Sequence, residues 1–296
     1  MQTLILIGLL ATASAYADDT LHYKVTVTPT LDRLDAEVCF GSWTPERLVS
    51  RLDESRQYLK DPTPSRGTLR VEKRRGQIRL HGAEAGDCIS YGVDLADAVR
   101  DQAERMIMKT DEAVVMSSGV WLWRPRRLPD GVELIIEFDL PAGMRASVPW
   151  DPVEGEREIF RLARTPIEWR DLTAIGRLDI RDLDVGGASL RLAVLDAGAR
   201  NDADDMDIWI SEAAGAVSRL YGRFPLRQPQ VLVVPIGQQS EAVPWAQVLR
   251  GGGAAAHFFI DPHRPLSEFR EDWTATHELS HMLLSLIHIS EPTRPP

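Results

Sequence analysis

Hydrophobic and polar residues alternate along much of the first half of the chain, a pattern typical of strands with one buried face. The alternation is found at residues 23–28 and 34–40, and further strands are suggested at 68–71, 77–80, 88–91, 120–123 and, as the strongest one, 132–140. Helical spacing is limited there to residues 45–59 and 95–108. The pattern therefore predicts a β-rich, sandwich-like N-terminal domain over residues 18–168, with small helical insertions.

A different order of elements begins near Trp169 and predicts a second unit over residues 169–283. Two strands are expected at 175–180 and 189–195, and a helix with one apolar face runs to about Tyr221. Residues 231–236 form a continuous apolar run, which favours a buried strand. Neither Pro nor Gly interrupts residues 267–284, which predicts one helix with Ser267 as its N-cap. The two units together predict an α+β fold.

Small residues are concentrated just before this last helix. The run comprises Gly251, Gly252, Gly253, Ala254, Ala255, Ala256 and His257. Small side chains let another backbone approach closely. The run is therefore interpreted either as a hinge or loop, or as an edge strand that binds an extended peptide by β-augmentation.

The last helix contains the sequence His277-Glu278-Leu279-Ser280-His281. Residues four apart share one helical face, so His277 and His281 can reach one zinc ion at about 2.1 Å. Glu278 then lies beside the ion, where it can accept a proton from water acidified by the metal. These three side chains predict a zinc-dependent hydrolase, and the commonest substrates of such enzymes are peptide bonds. An amphipathic helix with two structural histidines would show the same five residues.

Composition and charge restrict the possible partners and location. Hydrophobic residues make up 44% of the 296, enough for a sizeable core, and a net charge of −10 argues against nucleic acid as a partner. Residues 1–17 have the features of a signal peptide, and no later segment is apolar for long enough to span a membrane. We therefore expect a bacterial protein that is periplasmic or secreted and has no membrane span after signal cleavage.

The chain has two cysteines, Cys39 and Cys88. In an oxidising compartment such a pair can close a disulfide. Two separate buried thiols are the alternative.

The order of helix, buried strand, glycine-rich edge strand and His-Glu-x-x-His helix resembles the gluzincin metallopeptidases, the thermolysin and aminopeptidase superfamily. The residues that carry the resemblance are Trp273, His277, Glu278 and His281, with 251–257 as the edge strand. With a secreted β-domain before it, the chain is most similar to the glycyl-aminopeptidase-like branch. The resemblance implies a β-sandwich-like domain followed by the N-terminal lobe of a thermolysin-like zinc peptidase, which cleaves a peptide or protein substrate. It also implies Zn²⁺ as cofactor, with His277 and His281 as its ligands and Glu278 as the general base.

The sequence departs from this family in two places. Aminopeptidase relatives typically have a glutamate on the edge strand that binds the free amine of the substrate, whereas residues 254–256 here are alanines. An endopeptidase or an enzyme of broader activity is therefore an alternative to a strict aminopeptidase. Gluzincins take a third zinc ligand from a later helix, whereas residues 284–296 resemble a translated sequencing adapter. We therefore expect a non-native tail after an incomplete catalytic lobe, and an inactive chain as given. The alternative function is an exported binding or scaffolding protein with a degenerate peptidase lobe.

Overall fold

A computed structural model describes residues 19–195, 203–224 and 226–289, of which 283–289 are described by their backbone alone. The expected signal peptide (1–17) and the end of the expected tail (290–296) lie outside the described residues. The described strands are β1 (Thr20–Val27), β2 (Arg33–Phe40), β3 (Arg47–Val49), β4 (Leu59–Arg66), β5 (Arg70–Arg74), β6 (Gln77–His81), β7 (Cys88–Asp94), β8 (Met108–Lys109), β9 (Ala113–Met116), β10 (Glu133–Phe138), β11 (Arg145–Ser147), β12 (Asp151–Pro152), β13 (Ile159–Leu162), β14 (Thr173–Gly176), β15 (Leu178–Val185), β16 (Ala188–Leu195), β17 (Gln230–Pro235), β18 (Trp245–Leu249) and β19 (Ala255–Ile260). The α-helices are α1 (Ser55–Tyr58), α2 (Leu95–Arg100), α3 (Ala203–Tyr221), α4 (Leu266–Glu271) and α5 (Thr274–Ile289). The mixed α+β fold that the sequence predicts is confirmed.

The first unit is built on a seven-stranded sheet with the order β12-β13-β10-β1-β2-β7-β4. Strands β1 and β10 pair in parallel, and the other pairs are antiparallel. Along β1, the alternate residues Tyr23 and Val25 are fully buried, which confirms the predicted inward face. A three-stranded sheet, β3-β6-β5, is formed within the segment that connects β2 to β7.

The second unit is a five-stranded sheet with the order β15-β16-β17-β19-β18. Its three central strands are parallel, and the two outer strands are antiparallel to their neighbours. One face packs against α3, α4 and α5 in a single apolar cluster. The other face packs against the four-stranded sheet β11-β14-β9-β8 in a separate apolar cluster.

The connection between the two units differs from the expected one. Strand β14 pairs with β9 and β11, so the four-stranded sheet continues beyond the boundary expected at residue 168. The single strand expected at 175–180 is therefore two strands, β14 and β15, in different sheets. Gly176 has a positive φ of 148°, and a Cβ added there would lie 2.2 Å from the Glu112 carbonyl oxygen. A glycine permits this change of sheet, because it has no Cβ and tolerates a positive φ.

One predicted strand of the first unit is wrong. Residues 120–123 are not a strand, because a 3₁₀ turn at Ser118–Val120 precedes an irregular buried segment. Trp123 nitrogen donates to Tyr91 Oη at 3.3 Å, and Trp123 oxygen accepts from Tyr23 Oη at 3.0 Å. Tyrosine side chains thus satisfy this buried backbone in place of a neighbouring strand.

Both helices predicted in the first unit are shorter than expected. Residues 45–59 contain β3 and the single turn α1, because β3 pairs with β6. The helix expected at 95–108 ends at Arg100, two residues before Gln102, which has a φ of 52°. No helix in the described part of the chain is long and apolar enough to cross a membrane.

Candidate metal centre

Helix α5 carries the His-Glu-x-x-His residues and lies against the five-stranded sheet. It contacts α3, β18 and β19. Ala275, Leu279 and Met282 are buried in the apolar cluster beneath the helix. Because a helix turns once every 3.6 residues, this buried stripe leaves His277 and His281 on a more exposed face.

The start of this helix differs from the predicted one. Residues 267–284 form two helices, α4 and α5, because Asp272 adopts an extended conformation with ψ 126°. Its Oδ1 accepts a hydrogen bond from Thr274 nitrogen at 2.7 Å. This side-chain acceptor satisfies a free N–H at the start of α5. Pro265, rather than Ser267, occupies the N-cap position of α4.

The two histidines converge as their spacing predicts. Their Nε2 atoms lie 2.9 Å apart, and their ring centroids lie 4.4 Å apart with the planes at 86°. Ligands of a tetrahedral zinc ion at about 2.1 Å are separated by roughly 3.4 Å, so both nitrogens fit one ion after a movement of about 0.5 Å. The same distance also suits a hydrogen bond between the rings if one Nε2 is protonated.

Glu278 provides a carboxylate beside this pair. Its Oε1 lies 3.9 Å from His277 Nε2, and its side chain is 15% exposed against 42% for that of His277. A carboxylate at this position can exchange a proton with a water molecule held near the two nitrogens.

The described residues supply two donors at this point. The one group of three His, Cys, Asp or Glu donors that lie mutually within 4.8 Å in the described part is Glu37, Cys39 and Cys88. That group lies elsewhere, and its two sulfur atoms are joined in a disulfide between β2 and β7. Disulfide sulfurs are not the thiolates that bind zinc. The pair His277 and His281 is therefore the candidate metal site, with two of the usual three protein ligands.

The small-residue run does not form the expected edge strand. Ala255, Ala256 and His257 belong to β19, which lies between β17 and β18 and is fully buried. The edge strand is β18, whose outer side pairs with no strand among the described residues. Four of the five residues of β18 are apolar, but apolar and polar positions do not alternate along it, so the pattern did not identify this strand.

Of the three glycines before β19, Gly252 and Gly253 pack against the first unit. A Cβ on Gly253 would lie 1.8 Å from the Pro149 carbonyl oxygen, and one on Gly252 would lie 2.5 Å from the Trp150 ring. Gly251 nitrogen donates to the Arg170 carbonyl oxygen at 2.8 Å. Close backbone approach, as expected from small residues, therefore occurs here. The approaching chain is the protein's own, and Ala254 follows in the same loop.

His257 is fully buried and is not part of an exposed binding surface. Its Nε2 lies 3.1 Å from Gln230 Oε1, and Gln230 Nε2 donates to Ser147 Oγ at 3.0 Å. Because Gln230 presents its oxygen to the ring, His257 Nε2 is the protonated nitrogen. Burial lowers the pKa of His257 to about 3, so the ring is neutral. These contacts indicate a structural role between the two sheets.

Arg250, directly after β18, was not identified from the sequence. Its Nη2 donates to the His281 carbonyl oxygen at 3.1 Å, which ties α5 to the edge strand. An arginine at this position has no sequence signal, because the contact joins two residues that are far apart in the chain.

Comparison with known proteins places the fold. No family model matches the chain, and no curated protein matches it in sequence. An aminopeptidase N family protein from Idiomarina loihiensis has a TM-score of 0.61 at 11% identity, over 88% of this chain and 47% of that one. An M1 zinc metallopeptidase from Deinococcus radiodurans has a TM-score of 0.46 at 14% identity, over 88% of this chain and 62% of that one. The chain thus spans less than two thirds of either protein. The first likeness shows that the described chain shares the fold of part of an aminopeptidase N family protein.

Proposed function

We propose that this protein is an exported zinc-dependent peptidase of the gluzincin type. The observation that carries the proposal is the convergence of His277 and His281, with Nε2 atoms 2.9 Å apart and Glu278 beside them. The helix that carries them lies next to β18, an outer strand of the sheet formed by the described residues. The fold shared with an aminopeptidase N family protein supports it. Export is inferred from residues 1–17.

In this proposal His277 and His281 would hold the zinc ion, which would supply an acidified water molecule. Zinc bound in a protein lowers the pKa of a coordinated water to about 7. Glu278 accepts the proton of the attacking water and later returns it to the leaving amine, as a general base and then a general acid. A third ligand is expected from outside the described residues.

The substrate is proposed to be a peptide in extended conformation, bound along β18. This strand is at the edge of its sheet, next to the helix that carries the histidines. An edge strand offers unpaired backbone groups to a peptide. Strand β18 therefore takes the role that the sequence suggested for residues 251–257.

The test is the substitution Glu278→Gln in the protein encoded by the source locus. We expect peptide hydrolysis to fall by at least about 100-fold, because proton transfer is lost, while zinc content after dialysis is unchanged. Glu271→Gln, on the neighbouring helix, is the matched control, since Glu271 is exposed and lies outside the centre. Retained hydrolysis in the Glu278 variant would refute its role.

A binding or scaffolding function is the alternative, and the two-donor site in the described residues is what favours it. Sequencing the source locus past the codon for Leu283 separates the two functions. An additional helix with a glutamate near the centre would support the peptidase. A genomic tail identical to residues 284–296, together with no zinc binding and no hydrolysis, would support the binding protein.

A further inference from the structure

Trp273 is the largest hydrophobic side chain at the candidate centre, and it is 68% exposed. Burial in the core therefore gives this tryptophan little stabilisation. Its ring instead contacts that of His277, with centroids 4.5 Å apart and planes at 74°. This is an edge-to-face arrangement, which aromatic rings favour. Trp273, His277 and His281 are spaced four residues apart, so the three rings form one continuous row along α5.

The backbone on both sides of Trp273 is held in place. Asp272 nitrogen donates to the Glu268 carbonyl oxygen at 3.1 Å, at the end of α4. Asp272 Oδ1 accepts from Thr274 nitrogen at 2.7 Å. Trp273 oxygen accepts from His277 nitrogen at 3.0 Å, as the first turn of α5. The break between α4 and α5 thus places the indole against the His277 ring.

We propose that Trp273 is a positioning residue that holds the His277 ring with Nε2 directed at His281. The ring of His277 is flanked by Trp273 on one side and His281 on the other, and its side chain is otherwise 42% exposed. Without the indole, an exposed imidazole samples other rotamers, and only some of them place Nε2 beside His281. Trp273 therefore contributes to metal affinity without being a ligand.

The size of the effect follows from the contact. An edge-to-face aromatic pair and the ordering of one exposed side chain each correspond to a few-fold change in an equilibrium constant. We expect Trp273→Ala to weaken zinc binding about 3- to 10-fold, whereas Trp273→Phe retains most of the affinity because the ring contact is kept. Trp169→Ala is the matched control, because Trp169 is 43% exposed but lies outside the row of rings on α5.

The inference rests on the proposed zinc site, so two measurements separate them. The first is competition titration of Zn²⁺ against a chromophoric chelator for the wild-type chain, Trp273→Ala, Trp273→Phe and Trp169→Ala, with His277→Ala to define the site. The second is NMR of the imidazole signals in metal-free protein, where the indole ring current shifts the His277 resonances. Circular dichroism verifies that each variant is folded.

The expected result is a His277 ring signal that moves in Trp273→Ala and stays in Trp169→Ala, together with the loss of zinc affinity of about 3- to 10-fold. Unchanged His277 signals, or zinc affinity in Trp273→Ala equal to that of the wild type, would overturn the positioning role. If His277 signals move but the wild-type chain and His277→Ala bind zinc equally, the ring contact is supported and the zinc site itself is refuted.

Discussion

The buried ring of His257 makes a specific prediction about how stability depends on pH. Burial lowers its pKa from an ordinary value of 6.5 to about 3. The unfolded chain therefore binds a proton below pH 6.5 that the folded chain does not bind. The contribution of the neutral ring to the free energy of unfolding is therefore fully present above pH 6.5, the ordinary pKa. It is lost progressively as the pH falls from 6.5 towards 3, the pKa in the folded protein.

The magnitude follows from these two pKa values. Between pH 7.5 and pH 5.0, protonation of His257 in the unfolded state alone lowers the free energy of unfolding by about 2 kcal/mol. His257→Gln removes the titrating ring but keeps a side-chain N–H for Gln230 Oε1, which accepts from the ring in the wild type at 3.1 Å. The variant should be less stable than the wild type at pH 7.5 and should lose about 2 kcal/mol less on acidification.

The assay is urea unfolding followed by far-ultraviolet circular dichroism at the two pH values. Buried carboxyl groups also titrate, such as Asp171, whose pKa is raised by burial. Their contribution to the change in free energy is the same in variant and wild type, so it is removed when the two proteins are compared. His263→Gln, at an exposed histidine, is the control and should follow the wild type. If the wild type and His257→Gln lose the same free energy between pH 7.5 and 5.0, the neutral buried ring is refuted.

Three further predictions concern the first unit and its contact with the second. Replacing both Cys39 and Cys88 by Ser should lower the free energy of unfolding by about 4 kcal/mol, because the disulfide closes a loop with a sequence separation of 49. Equal midpoints of urea unfolding for this variant and the wild type would contradict the prediction. Gly253→Ala should destabilise the folded protein by about 1–3 kcal/mol, because the added Cβ meets the Pro149 carbonyl oxygen. The control Gly215→Ala, on α3, should be neutral or stabilising. Similar melting temperatures for the two variants would argue against a packing role for Gly253. Tyr23→Phe should cost about 1–3 kcal/mol in chemical unfolding, because it leaves the buried carbonyl of Trp123 without its donor, and an unchanged midpoint would count against that hydrogen bond.

Much of the local structure could be predicted because it depends on neighbours in the chain. Alternation placed β1 and β2, and 3.6-residue spacing placed α3 and the shared face of the two histidines. Where a long-range contact replaces the local pattern, prediction failed. The four residues at 120–123 are all apolar, as in a buried strand, but tyrosine side chains bind their backbone instead of a neighbouring strand.

The candidate site divides in the same way. The five residues from His277 to His281 determine by themselves that two imidazoles and a carboxylate share one helix, because the rise and turn of a helix are properties of local backbone geometry. The identity of the edge strand proposed to bind the substrate could not be predicted in this way, because it depends on the order of strands in the sheet. Only the tertiary structure decided that β18, rather than residues 251–257, is the outer strand, because that order results from pairing between distant segments. For the same reason, only the tertiary structure showed that Gly253 lies against Pro149 and that Arg250 binds the histidine helix.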